Sequence, residues 1–138
     1  MEDIETLCDN FAFLETWEDK YQYLLDLGEK LEPLENCFQK DEFKVAGCQS
    51  QVWLVPEIKD QKFYFKATSD AMMVRGIIYI LKAVYQGKDI IDIKNIEVEK
   101  IFATLGLEGH LSSSRRNGML SMVEKIRFYA GKAEEQSI

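Results

Sequence analysis

The segment from Ala71 to Tyr85 carries Met73, Val74, Ile77, Ile78, Ile80, Leu81 and Val84 around most of a helical circumference. A helix that is apolar on nearly every side has no face to give to water, so the remainder of the chain must wrap it. Ser69 and Asp70 precede it as an expected N-cap and first-turn acid, and Gln86-Gly87-Lys88 closes it. Lys82 interrupts its richest apolar run, Gly76-Ile77-Ile78-Tyr79-Ile80-Leu81, far short of the length needed to span a bilayer. The expectation is a buried central helix in one globular domain over residues 1–138. A chain of this size hides roughly two-thirds of its unfolded surface and needs no disulfide or metal staple.

The flanking segments supply the wrapping. Ile4, Leu7, Phe11 and Leu14 recur at helical spacing, and Thr16 with Asp19 three residues on opens a second helix with Trp17, Tyr21, Leu24 and Leu25 as its buried stripe. Leu31-Glu32-Pro33 reads as a break, leaving residues 34–41 as a short helix or loop. The period then changes. Residues 51–55 and 62–68 are β-branched and aromatic runs joined by Lys59-Asp60-Gln61, which predicts an antiparallel hairpin, and Pro56 predicts an edge or a bulge at the end of the first strand. Phe43-Lys44-Val45 is expected to add a third strand before a bend at Gly47. Beyond the central helix, Val98 to Leu105 is a shorter helix closed by Gly106. A long last helix begins among Ser112, Ser113 and Ser114, with Met119, Met122, Val123, Ile126 and Ala130 as its apolar stripe. The fold class is α+β, about three antiparallel strands packed on five or six helices.

Charge and cysteine content exclude several functions. With 17 basic and 24 acidic side chains the net charge is −7, which speaks against a nucleic-acid binder, and the acidic start Met1-Glu2-Asp3 is unlike a secretory leader. The expected address is the cytoplasm, with no membrane partner. The acidity is concentrated in residues 1–40 (3 basic, 11 acidic), whereas residues 110–138 are mildly basic (5 basic, 3 acidic). That asymmetry fits a solvated helical face or an electrostatically matched protein docking surface. Cys8, Cys37 and Cys48 are an odd number without CxxC pairing, so neither a disulfide framework nor a zinc site is expected.

Among the three thiols, Cys48 stands apart. It follows Gly47 at a turn into a strand and is flanked by Gln49, Ser50 and Gln51, a setting that presents a side chain on a loop tip. Cys8 and Cys37 lie beside apolar helical residues, where cysteine behaves as a small hydrophobe. A nucleophilic Cys48 needs a positive neighbour, from Lys44 or from the basic C-terminal third. The residues alone leave other chemistries open. Cys48, His110 and Asp70 could form a nucleophile, base and orienter for acyl transfer. Cys8, Cys37 and Cys48 could ligate an iron–sulfur cluster if they converged. A docking module without chemistry would share every feature except the need for the thiol.

Gly47-Cys48-Gln49-Ser50-Gln51-Val52-Trp53 resembles the signature of the SufE-like family, sulfur-acceptor proteins that work beside cysteine desulfurases. Three further blocks agree, in order along the chain. Asn10 to Leu14 with Trp17 to Tyr21 is similar to the family's first helical hairpin, Ser69-Asp70-Ala71 with Val74-Arg75-Gly76 to its central helix, and His110 to Arg115 with Gly118 to the start of its last helix. Ser113 stands where the family commonly has proline, which removes no reactive group. The resemblance implies a SufE/NifU-like fold and makes Cys48 the acceptor of persulfide sulfur. It implies a SufS-like or CsdA-like cysteine desulfurase as partner and donor, and an iron–sulfur scaffold complex as recipient. Pyridoxal phosphate is the partner's cofactor, with none of the chain's own. Gly47, Gln49, Ser50, Gln51, Asp70 and Arg115 become partner-binding or loop-positioning residues. Asp70 and Arg115 are expected to hold the loop inward through their opposite charges, against the plainer roles of a helix cap and a solvated arginine. A homodimer is left open.

Overall fold

The computed structural model describes residues 2–136. Five α-helices and a three-stranded antiparallel sheet follow the order α1 (Ile4–Ala12), α2 (Trp17–Lys30), β1 (Val52–Lys59), β2 (Lys62–Ser69), α3 (Met72–Tyr85), β3 (Lys88–Asp89), α4 (Val98–Thr104) and α5 (Ser113–Gln136). Single 3-10 turns at Asn36–Phe38, Asp41–Phe43, Ile93–Asn95 and Glu108–His110 join them. Asp3 caps α1 by accepting from the Thr6 N–H, and Thr16 caps α2 by accepting from the Asp19 N–H, as the sequence predicts for the second.

The central helix is buried as its composition demands. From Ile77 to Leu81 every residue of α3 is buried, and with Phe11, Phe63, Phe65 and Phe102 these side chains form one continuous core. Close packing of α2 on α3 depends on two glycines. A Cβ on Gly28 would meet the Met72 carbonyl oxygen at 2.5 Å, and one on Gly76 would strike the Leu24 carbonyl. The buried face of α2 is accordingly Leu24, Leu27 and Gly28, whereas Trp17 is only half-buried and Tyr21 is exposed. The expected stripe through Trp17 and Tyr21 is thus rotated toward the glycine crossing.

The hairpin pairs Val52 with Ser69 through Lys59 with Lys62, and its two-residue loop, Asp60-Gln61, has φ of 53° and 63°. Two left-handed residues make the turn whose twist suits a hairpin. Strand order β1-β2-β3 leaves β1 at an edge, where Pro56 costs no ladder bond on its open side. Val52 and Leu54 of β1 and Phe63, Phe65 and Ala67 of β2 face the core; α3 covers β2, and α5 reaches β1.

Two local expectations change. Phe43-Lys44-Val45 forms only a bridge from Lys44 to Trp53 and a bond from the Val45 N–H to the Val52 carbonyl, and the third strand is Lys88–Asp89 on the opposite edge. Ser69 is not the cap of α3. It stays in β2, paired with Val52, so the N-cap lies two residues beyond the expected one, at Ala71, and the helix begins at Met72. The predicted stripe of α5 is buried throughout, and Ser112 caps that helix by accepting from the Arg115 N–H.

Candidate functional site

Between Val45 and Val52 the chain crosses from the Lys44 bridge into β1, and this crossing carries the thiol. Gly47 has φ of +84°, and a Cβ there would meet Ser121 Oγ at 2.8 Å, so the bend both requires glycine and rests on α5. Gly47, Gln49 and Gln51 are exposed, while Cys48 and Ser50 are half-buried. The loop thus offers backbone and amides to solvent and turns its thiol inward.

The thiol points at α5. Cys48 Sγ lies 3.7 Å from the Gly118 carbonyl oxygen, to which its S–H donates, and a Cβ on Gly118 would stand 3.5 Å from the sulfur. Gly118 is thus the floor on which the thiol sits. Beside it opens a cavity of about 370 Å³ lined by residues of both the loop and the two helices. Gln49, Ser50, Ser112, Ser114 and Arg115 make its polar side, and Val52, Val74, Ile77, Met119 and Met122 its apolar floor. Burial pushes the Cys48 thiol above its ordinary pKa, so with the loop packed inward the group is a protected thiol.

Asp70 fixes the far end of the loop. Its carboxylate accepts from the Gln51 N–H at 3.0 Å, and its own N–H donates to the Gln51 carbonyl at 3.2 Å. The two bonds tie the last loop residue to the β2–α3 junction. That junction is braced by Arg75, whose Nε donates to the Ser69 carbonyl at 2.7 Å, and by Ser69 Oγ, which accepts from the Ala71 N–H. Asp70 therefore positions the loop, but through a backbone amide and not through Arg115: no ion pair joins the two among the described residues. Arg115 stands instead at the rim of the cavity, exposed, on the first turn of α5.

The other sequence candidates lie elsewhere. His110 stacks on Trp17, ring centroids 4.6 Å apart and planes 12° from parallel, and is not among the cavity's lining residues. The Cys48–His110–Asp70 arrangement needed for acyl transfer is not assembled. Lys44 is exposed and also absent from the lining, leaving Arg115 as its cation. Cys8 lies half-buried in α1 over a separate cavity with Ile101 and Thr104, and burial, then the charges of Asp9 and Glu5, push its thiol up. Cys37 is exposed, its sulfur 3.8 Å from a Glu35 carboxylate oxygen. The three cysteines therefore sit on separate elements in separate surroundings, and among the described residues no group of three or more His, Cys, Asp and Glu could hold a metal ion. Two contributors went unread in the sequence: Ser121, which backs Gly47, and the space that Gly118 makes for the thiol. A glycine one turn before Met122, on the apolar face of a helix, was the available signal for the second.

A single thiol on a glycine-hinged loop, tied down at one end and seated on a helix over a half-polar cavity, defines a small α+β protein built around one guarded cysteine. The comparisons with known proteins give that class its family. The SufE family model, an Fe-S metabolism associated domain, matches residues 5–130. SufE-like proteins of Rhizobium meliloti (strain 1021) and Rhizobium etli are each 40% identical over 131 residues, which is 92% of this chain and 94% and 88% of theirs. The solution structure of a hypothetical protein from Thermus thermophilus superposes with a TM-score of 0.76 over 96% of both chains at 17% identity, a likeness of fold. The chain belongs to the SufE family, and its role lies in Fe-S metabolism. No helix among the described residues is long and apolar enough to cross a membrane.

Proposed function

We infer that this protein is a sulfur acceptor: Cys48 takes the outer sulfur of a persulfide carried by a cysteine desulfurase and passes it on for iron–sulfur cluster assembly. The observation that carries this reading is the seat of Cys48 on a loop hinged at Gly47, inward over the cavity yet with exposed flanks a partner can grip. In the transfer, the Cys48 thiol gives up its proton and Sγ attacks the terminal sulfur of the partner's persulfide. The partner's S–S bond breaks, its electron pair leaves on the cysteine sulfur that held the persulfide, and that thiolate takes a proton. One thiol and one persulfide become one persulfide and one thiol, with no net oxidation.

Burial explains why a partner is needed. With the loop inward, burial disfavours the Cys48 thiolate, so a desulfurase that draws Cys48 out speeds its reaction. Gly47 supplies the bend, Gln49, Ser50 and Gln51 the grip, and Asp70 the tether that returns the loop. Pyridoxal phosphate works in the partner. Such exchange needs a reducing compartment, and the cytoplasm is the address we assign.

Removal of persulfide sulfur frees the desulfurase for another cycle, so sulfide release from cysteine under limiting reductant rises when this protein is added to its cognate pyridoxal-phosphate desulfurase. Cys48→Ser abolishes the rise and Cys37→Ser keeps it. An equal rise with Cys48→Ser refutes the acceptor role.

A further inference from the structure

The cavity beside Cys48 is larger than sulfur transfer requires. One added sulfur atom fills about the volume of a water molecule, ~30 Å³, against a cavity of about 370 Å³. Its lining also has a specific chemistry. Three of the chain's four arginines are engaged: Arg75 on the Ser69 carbonyl, Arg116 on Glu108 at 3.3 Å, and Arg127 on the Ile96 carbonyl. The fourth, Arg115, makes no side-chain hydrogen bond or ion pair with any described residue, and it is the arginine that lines the cavity. No carboxylate lines the cavity to neutralise it. Ser112 and Ser114 line the same cavity, and Met119, Met122, Val74 and Ile77 add apolar lining to it, as does Cys48 itself. A free guanidinium fork matches a carboxylate, and an apolar floor matches a short methylene chain.

We propose that this cavity binds a small carboxylate-bearing disulfide of amino-acid size and that Cys48 forms a reversible mixed disulfide with it. The site stands on the cavity's lining whether or not Cys48 accepts sulfur from a desulfurase. Its consequence for transfer, a capped acceptor, rests on that reading. In the step, Cys48 Sγ, as thiolate, attacks one sulfur of the small disulfide R–S–S–R. The S–S bond breaks, R–S⁻ departs and takes a proton, and Cys48–S–S–R remains. The protein thiol is oxidised, half of the disulfide is reduced, and excess small thiol reverses the exchange. Arg115 is a binding residue here, holding the carboxylate while the methylene body lies on the methionines.

The test uses the full chain with its three native cysteines and follows modification by peptide mapping. The probes are 3,3′-dithiodipropionate, which carries carboxylates, bis(2-hydroxyethyl) disulfide, which is neutral, and cystamine, which is cationic. Cys37 on the same molecule normalises for the intrinsic reactivity of each probe, and because its neighbour Glu35 itself disfavours anions, the preference is read as the difference in this ratio between the parent chain and Arg115→Gln. The expected result is that the dicarboxylate is favoured over the neutral disulfide at Cys48 by about tenfold relative to Cys37, with cystamine least favoured. Arg115→Gln, a change at an exposed position, abolishes the preference while leaving the reactivity of Cys37 unchanged. The proposal is overturned if Cys48 is not modified, if it shows no charge preference relative to Cys37, or if the preference survives Arg115→Gln. None of these readouts involves a desulfurase, so failure here and failure of sulfur acceptance are separate results.

Discussion

Asp70 shows how much one carboxylate can set at a loop end. Its bond to the Gln51 N–H is the side-chain tether on the strand side of the thiol loop, and a bond of that kind contributes about 1 kcal/mol. Asp70→Ala therefore raises the population of outward loop, and the iodoacetamide alkylation rate of Cys48 rises about fivefold, while Asp70→Asn, which keeps an acceptor oxygen, stays close to the parent. Unchanged alkylation in the alanine variant would reduce Asp70 to a surface residue. Lys82 is a different case. It is only 6% exposed in the central helix, and the carboxylate it meets is Glu32 at 3.8 Å, so burial holds its pKa below the ordinary lysine value of 10.5. Below that lowered pKa the fold bears the cost of a buried ammonium. The cost is relieved as pH rises through the window from the folded value to about 10.5, because there the unfolded chain binds more protons. Lys82→Met is expected to stabilise the protein by about 1 kcal/mol at neutral pH. The difference between parent and variant in urea midpoint should shrink as the pH is raised through that window, and a constant difference would contradict the assignment.

At the scale of elements, the molecule depends on two helices that touch through glycine. Gly76→Ala sets a methyl against the Leu24 carbonyl and should cost about 2 kcal/mol or more. Gly131→Ala, in α5 with nothing within 4 Å of the added carbon, should instead gain about 0.5–1 kcal/mol from helix propensity. Thermal or urea unfolding of the two variants checks both signs. The helices are legible in the sequence because their apolar stripes are long; α3 and the stripe of α5 follow directly from periodicity. The sheet edges are less so. A two-residue strand at Lys88–Asp89 carries no pattern to read, and Phe43-Lys44-Val45 looks like a strand but bends away after one bridge. Ser69 has a capping side chain, yet pairing with Val52 keeps it in the hairpin and moves the helix start onward. Likewise Cys48, Gly47 and Asp70 stand out in a window of sequence, whereas the face of α5 that receives the thiol is a product of packing across 70 residues.

Across the whole molecule, the hairpin, the central helix and the last helix meet at one place. β1 continues from the thiol loop, α3 begins where Asp70 ties that loop, and α5 supplies the Gly118 floor, the Ser121 backing and the Arg115 rim. The other two thiols are outside this convergence, Cys8 in α1 and Cys37 in an exposed turn. The fold therefore seats one cysteine at this convergence, and the proposed sulfur acceptance rests on that cysteine. The most direct measurement is intact-mass and peptide analysis of the chain after incubation with isotope-labelled cysteine and its cognate desulfurase, without reductant. The prediction is the gain of about one labelled sulfur atom on the Cys48 peptide, lost on gel filtration after dithiothreitol and absent from Cys48→Ser. Labelled sulfur that persists in Cys48→Ser, or that maps to Cys8 or Cys37 in the parent chain, would contradict it.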